Sequence, residues 1–143
     1  MALEPQTAAS SLSRHATWLA LARASFGAPA VASPETCLRL LGLSGGRRPS
    51  PARHFVGFFG VREVALGGLL FAARGDLRQL RTLAALGALA DMGDSALLLR
   101  ELLGRRRVEP AAVALLGTGL SGSAAALAFW LETRRADRGV SAS

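Results

Sequence analysis

The stretch Leu89–Leu98, LADMGDSALL, sets two aspartates three residues apart inside a run otherwise suited to hydrocarbon. On a helix, residues three apart share a face, with Cβ atoms about 5–6 Å from one another. Asp91 and Asp94 therefore look the same way, and in apolar surroundings both need counter-charge. Placing one ionised group at the centre of a bilayer costs about 2.5–3.5 kcal/mol.

Outward from this stretch, charged or Pro/Gly-rich punctuation isolates four apolar runs: Ala16–Ala32, Phe55–Ala73, Thr82–Leu99 and Ala111–Leu131. Each is close to the ~20 residues a helix needs to cross a hydrocarbon core of about 30 Å. Period-2 alternation is absent, and Ala, Leu and Gly dominate where strands would favour β-branched residues. The expectation is an all-α fold: a four-helix transmembrane bundle of antiparallel up-down topology. The first connection is the longest, and its segment Glu35–Leu43 is expected to form a short interfacial helix followed by a flexible Ser44–Pro51. Residues 14–135 form the expected membrane domain, and 1–13 and 136–143 are expected to be disordered tails.

The chain has 143 residues, half of them apolar, and a formal charge of +7. All 17 basic residues are Arg, and Lys, Asn, Ile and Tyr are absent together, as a GC-rich coding sequence would impose. The arginines fall between apolar runs rather than along a stripe interleaved with aromatics, which points to lipid headgroups and away from nucleic acid. Four spans would put seven arginines on one side and eight on the other, outside the spans, so the positive-inside rule chooses no orientation. Trp18 and Trp130 stand near helix ends, as interfacial anchors do. The first apolar run ends in APAVAS, which suits a signal-peptide cleavage site after Ala32, but Arg23 in the middle of that run speaks against one.

Five ionisable residues lie inside the apolar runs: Arg23, Arg62, Glu63, Asp91 and Asp94. Two positive and three negative charges come near to balance, so they are expected to meet in one interhelical cluster in which each arginine grips a carboxylate. Glu63, Asp91 and Asp94 are the candidate acid/base groups, since carboxylates crowded in a low-dielectric site resist joint ionisation and suit general-acid work. Arg23 and Arg62 are the candidate ligand-binding groups. The structural alternative is that such charges only lock helices in register. Small residues at Gly57, Gly60 and Gly67, and at Gly117, Ser121 and Ala125, are expected to let helices approach closely.

Two motifs are decoys. G-x-G-x-x-G at Gly117, Gly119 and Gly122 resembles a dinucleotide-binding turn but has no room after it for a further strand and an acidic residue. G-x-S-x-G at Gly42, Ser44 and Gly46 lacks the strand and helix of a nucleophile elbow. Cys37 is the single cysteine and His15 and His54 are the two histidines, so no intrachain disulfide or Cys/His metal cluster can form, and no cofactor or metal is expected. Neither histidine is assigned a role.

Together, R-x-x-x-G-A-P at Arg23–Pro29, L-L-G-L at Leu40–Leu43, G-x-R-E-x-x-L-G at Gly60–Gly67 and the D-x-x-D segment resemble a family of small bacterial four-helix membrane proteins of unknown function, similar to the DoxX-like group. The resemblance spans about residues 16–131 and implies a multi-pass bundle in the cell membrane; Arg62, Glu63 and Asp91 are the positions it carries across. It implies no reaction. Two functions follow from the residues: a non-enzymatic membrane component that binds a small lipophilic or amphiphilic ligand, or a partner helix, at the cluster; or a small membrane enzyme using an Asp/Glu general acid on an isoprenoid or polyketide. Scarce aromatics, six Phe and two Trp, disfavour the second. The expected partners are membrane lipids and a lipophilic small molecule, with a homo-oligomer left open.

Overall fold

A computed structural model describes residues 5–41, 51–104 and 110–140 of the chain. Five helices follow in order: α1 (Pro5–Ala32), α2 (Pro34–Leu40), α3 (Pro51–Ala72), α4 (Leu77–Leu103) and α5 (Pro110–Val140). No strand occurs among the described residues.

Local chemistry explains where these helices start. Four of the five begin on proline, whose fixed φ and missing N–H suit the first helical position. The exception, α4, is capped by Asp76: its Oδ1 accepts the backbone N–H of Arg78 at 2.9 Å and of Gln79 at 3.0 Å. The Gln79 side chain donates to the other carboxylate oxygen at 2.8 Å. Those hydrogen bonds, led by the one from the Gln79 backbone, hold the Asp76 carboxyl below its ordinary range.

The helices are longer than the apolar runs. α1 is 28 residues and begins at Pro5, well inside the segment 1–13 expected as a tail; α5 is 31 residues and reaches Val140, inside 136–143. The connection between the second and third apolar runs contracts to a turn at 73–76, because Asp76 caps a helix that already includes Leu77–Arg81. The short helix between α1 and α3 is α2, lying over Pro34–Leu40, with Leu38 buried and Arg53 of α3 donating to Glu35 at 3.0 Å. Residues 42–50, which hold the G-x-S-x-G sequence and nearly all of the expected flexible segment, lie outside the described residues.

Glycines set the closest helix approaches. A Cβ added at Gly27 of α1 would stand 2.6 Å from the Gly60 carbonyl oxygen of α3, and one at Gly67 of α3 would stand 2.8 Å from the Ala20 carbonyl oxygen of α1. The pairing runs antiparallel, since Gly27 meets Gly60 while Ala20 meets Gly67. α4 and α5 pair likewise: Gly119 lies against Ser95, Gly122 against Asp91, and Trp130 beside Arg81 and Ala85. On α5 the stripe expected from the sequence is not the packing face. Ser121 and Ala125 are exposed and Gly117 faces open space, whereas Gly119, Gly122, Ser123 and Ala126 face inward. The packing face is therefore turned by about two residues, or roughly 200°, from that stripe. The G-x-G-x-x-G run lies mid-helix in α5, without strand or turn, which removes the nucleotide-binding reading.

An apolar core joins the middle of α1, the end of α3, the first part of α4 and the second half of α5: Ala16, Ala20, Leu70, Ala73, Leu80, Ala84 and Phe129. Four of these seven are alanine, so little side chain separates the backbones. Large apolar side chains face outward while three charged ones are sealed inside. Trp18, Phe55, Phe58, Leu89 and Leu97 are each at least 67% exposed, while Arg23, Glu63 and Asp91 are at most 6% exposed. Two helices, over Arg53–Ala72 and Leu77–Arg100, are long and apolar enough to cross a membrane, with mean hydropathies of 1.6 and 1.4. A core helix of a soluble protein would be mostly buried; the apolar stretches of these two are only 22% and 28% buried. α1 and α5 have the length but dilute it with Arg23, Pro29, Thr118, Ser121 and Ser123.

Candidate functional site

Inward-facing positions repeat every three or four residues along each helix. On α1 they are Ala16, Ala20, Arg23, Gly27 and Ala30; on α3, Gly60, Glu63, Gly67 and Leu70; on α4, Leu80, Ala84, Gly87, Asp91 and Ser95. This is the stripe an apolar helix face would occupy. Arg23, Glu63 and Asp91 thus replace core residues at one level of the molecule, and the helix register brings them together.

Arg23 is the hub. Its Nη1 donates to Glu63 Oε2 at 2.7 Å, and its two terminal nitrogens grip Asp91, Nη2 to Oδ2 at 2.6 Å and Nη1 to Oδ1 at 3.3 Å. One guanidinium on α1 thereby ties α3 to α4. Arg62 forms a second hub, folding back on its neighbour so that Nε and Nη2 both donate to Glu63 Oε1, at 3.1 and 2.7 Å. Its Nη2 also reaches Asp91 Oδ1 at 3.4 Å, and its Nη1 donates to Asp94 Oδ2 at 2.5 Å. The Phe59 ring, one turn earlier on α3, lies 5.0 Å below the guanidinium.

All five residues expected to cluster do so. Arg62 donates to both Asp91 and Asp94, and every carboxylate of the cluster accepts at least one guanidinium N–H. Charge-assisted bonds of this kind are the short, strong ones.

The network is closed on one side and open on the other. The side chains of Arg23, Glu63 and Asp91 are 6%, 6% and 8% exposed, against 27% for Arg62 and 47% for Asp94. On the closed side, missing side chains make the room. A Cβ at Gly87 would come 2.8 Å from Arg23 Nη2, and one at Gly122 would come 3.0 Å from Asp91 Oδ2. Ser95 adds a buried hydroxyl that donates to the Asp91 backbone carbonyl at 2.7 Å and sits against Gly119. Among the described buried side chains, Arg23 Nε is the one polar atom without a hydrogen-bond partner. Sequence reading misses Gly87, Gly119, Gly122 and Ser95; the available signal is that Gly87 and Ser95 flank Asp91 by one helical turn on each side.

Away from the cluster, His15 Nδ1 lies 3.1 Å from Glu132 Oε2, joining α1 to α5 in an exposed pair. Among the described residues, no three His, Cys, Asp or Glu side chains converge as metal ligands would.

What these features define is a helical protein with two membrane-length helices and a buried arginine–carboxylate network at their middle: Arg62 and Glu63 stand at the midpoint of Arg53–Ala72, and Asp91 is close to that of Leu77–Arg100. Residues 20–131 match the family described as Domain of unknown function (DUF4267), and the chain belongs to that family. The match includes all five network residues and ends just before Glu132. It carries no link to the DoxX-like group. No curated protein and no solved structure matches the chain.

Proposed function

We propose that the chain is a multi-pass protein of the cell membrane, that α1, α3, α4 and α5 form an antiparallel up-and-down transmembrane bundle, and that the network holds the polar end of a small amphiphilic ligand at Arg62 and Asp94. The observation that carries this reading is the exposure gradient across one continuous network, from 6% at Arg23 to 47% at Asp94. The inner half is satisfied and sealed. The outer half opens at mid-span, where an uncovered charge costs about 2.5–3.5 kcal/mol in hydrocarbon. A hydroxyl, carbonyl or anionic head with an apolar tail would cover it, with Arg62 donating and Asp94 accepting.

Binding is favoured over general-acid catalysis because the three carboxylates are already engaged by guanidinium donors. A carboxylate that serves as the acceptor of a permanent ion pair orients the arginine that holds the ligand.

The test is native mass spectrometry of the full chain extracted from its host membrane. The wild-type protein is expected to retain an amphiphile that Arg62→Ala loses, with membrane insertion and helix content unchanged. An amphiphile retained undiminished by the folded variant overturns the reading, as does a second copy of the chain or a partner helix found covering Arg62 and Asp94 in its place.

A further inference from the structure

The open margin of the network has hydrogen-bonding groups still to spend, and they differ in kind. A terminal guanidinium nitrogen carries two N–H donors. Arg62 Nη1 makes one bond among the described residues, to Asp94 Oδ2 at 2.5 Å, and so keeps one N–H. Asp94 accepts through Oδ2 alone, which leaves Oδ1 without a donor among the described residues. One donor and one acceptor therefore stand on two groups already held together, on the exposed side of the cluster.

Charge narrows what can meet them. The four apolar runs hold two arginines and three carboxylates, a surplus of one negative charge in a chain whose total is +7. An anionic head beside Asp94 would add to that surplus, and like charges in low-dielectric surroundings repel strongly. An ammonium head brings only donors, which oppose the remaining N–H of Arg62. An ether or ketone accepts from Arg62 but leaves Asp94 Oδ1 unsatisfied. A hydroxyl accepts and donates through one oxygen and carries no charge. The polar patch is also small. One turn before and after Arg62 stand Phe58 and Leu66, and one turn before and after Asp94 stand Ala90 and Leu98. A head with several hydroxyls would press the surplus ones against these apolar side chains, at a desolvation cost. Phe58 and, one turn beyond Asp94, Leu97 are 72% and 67% exposed, which offers apolar surface to a tail.

We propose that the Arg62–Asp94 margin binds the single hydroxyl of a lipophilic alcohol, the oxygen accepting from Arg62 Nη1 and the O–H donating to Asp94 Oδ1. This deepens the ligand-binding reading above and rests on it.

The experiment is a competition on the full chain in detergent, read by native mass spectrometry at mildly alkaline pH. Four probes share one long alkyl chain and differ in the head: primary alcohol, methyl ether, carboxylate and ammonium. The alcohol adduct is expected to exceed each of the others by roughly tenfold or more, the equivalent of one hydrogen bond to a charged group. Asp94→Asn removes the surplus charge and can turn a donating amide toward the ligand in place of Oδ1. In that variant the alcohol is expected to lose its lead over the carboxylate. A wild-type chain that retains the ether, carboxylate or ammonium at least as well as the alcohol overturns the hydroxyl assignment and leaves the ligand site standing. Retention of none of the four overturns the ligand site itself. A folded D94N protein with the wild-type order of probes overturns the role given to Asp94, and the order in the wild-type chain is decisive by itself where D94N yields no folded protein.

Discussion

Replacing Gly27 with alanine tests the link between backbone approach and charge pairing. The added Cβ would stand 2.6 Å from the Gly60 carbonyl oxygen, 2.8 Å from Glu63 Cβ and 2.8 Å from the Val64 nitrogen. Comfortable non-bonded carbon contacts are about 3.5–4.0 Å, so α1 and α3 must separate by roughly 1 Å at the crossing. Two of the three obstructing atoms are backbone and cannot rotate away. One turn along, the 2.7 Å bond from Arg23 to Glu63 would be stretched past the ~3.2 Å outer limit of a good N–H···O bond. Overpacking of this kind costs about 1–3 kcal/mol, and the weakened buried pair moves Gly27→Ala to the upper end. Gly57, on the same α3 helix, is the control. Nothing lies within 4 Å of a Cβ there, and alanine in a helix gains up to about 1 kcal/mol over glycine. Both variants are unfolded in one detergent, by heat or by titrated SDS, and followed by circular dichroism. G27A is expected to melt well below wild type and G57A at or above it. A G27A protein as stable as wild type would refute the view that the α1–α3 crossing has no spare room.

Amide substitutions divide the network: Glu63→Gln and Asp91→Asn each leave a buried guanidinium short of charge and are expected to lower stability by about 3 kcal/mol or more, read by the same unfolding midpoints. Asp94→Asn, on the open margin, leaves Arg62 still donating to Glu63 and Asp91 and is expected to lose less than either; equal losses at all three would mean the margin is as structural as the hub. The Asp76 cap has its own pH signature. Its carboxyl is held below the ordinary 3.8 by the Gln79 and Arg78 backbone N–H groups, so its stabilisation is present above that pH and fades as pH falls through the lower folded value. Asp76→Asn, which can still cap but cannot titrate, is expected to be less stable than wild type near neutrality and to converge with it in acid; a constant difference across that range would refute the assignment.

The five charges are legible in the sequence because each interrupts an apolar run, and hydrocarbon-length runs tolerate few such residues. Their meeting at one level is legible from near-neutral charge balance. Which atoms pair is not. Arg62 and Glu63 are adjacent, and neighbours on a helix point about 100° apart; only the length of the arginine lets its head return to the neighbouring carboxylate. The α5 packing face escapes sequence reading because Gly, Ala and Ser are so dense there that every face carries small residues at four-residue spacing. What decides is the partner, and Gly119 and Gly122 are inward because Ser95 and Asp91 stand opposite. Helix lengths are underestimated from the apolar runs for another reason. Apolar periodicity reports where a helix is buried in lipid or core, whereas Pro5 and the Asp76 cap report where it begins.

The Arg23 hub also has a consequence in time. Its partners Glu63 and Asp91 lie 40 and 68 residues further along the chain. During synthesis α1 is made with Arg23 unpaired, while the two helices long and apolar enough to cross a membrane, Arg53–Ala72 and Leu77–Arg100, bring the compensating negatives later. On the membrane reading proposed above, α1 settles only once those segments have emerged, so the helix made first is among the last to reach its final depth.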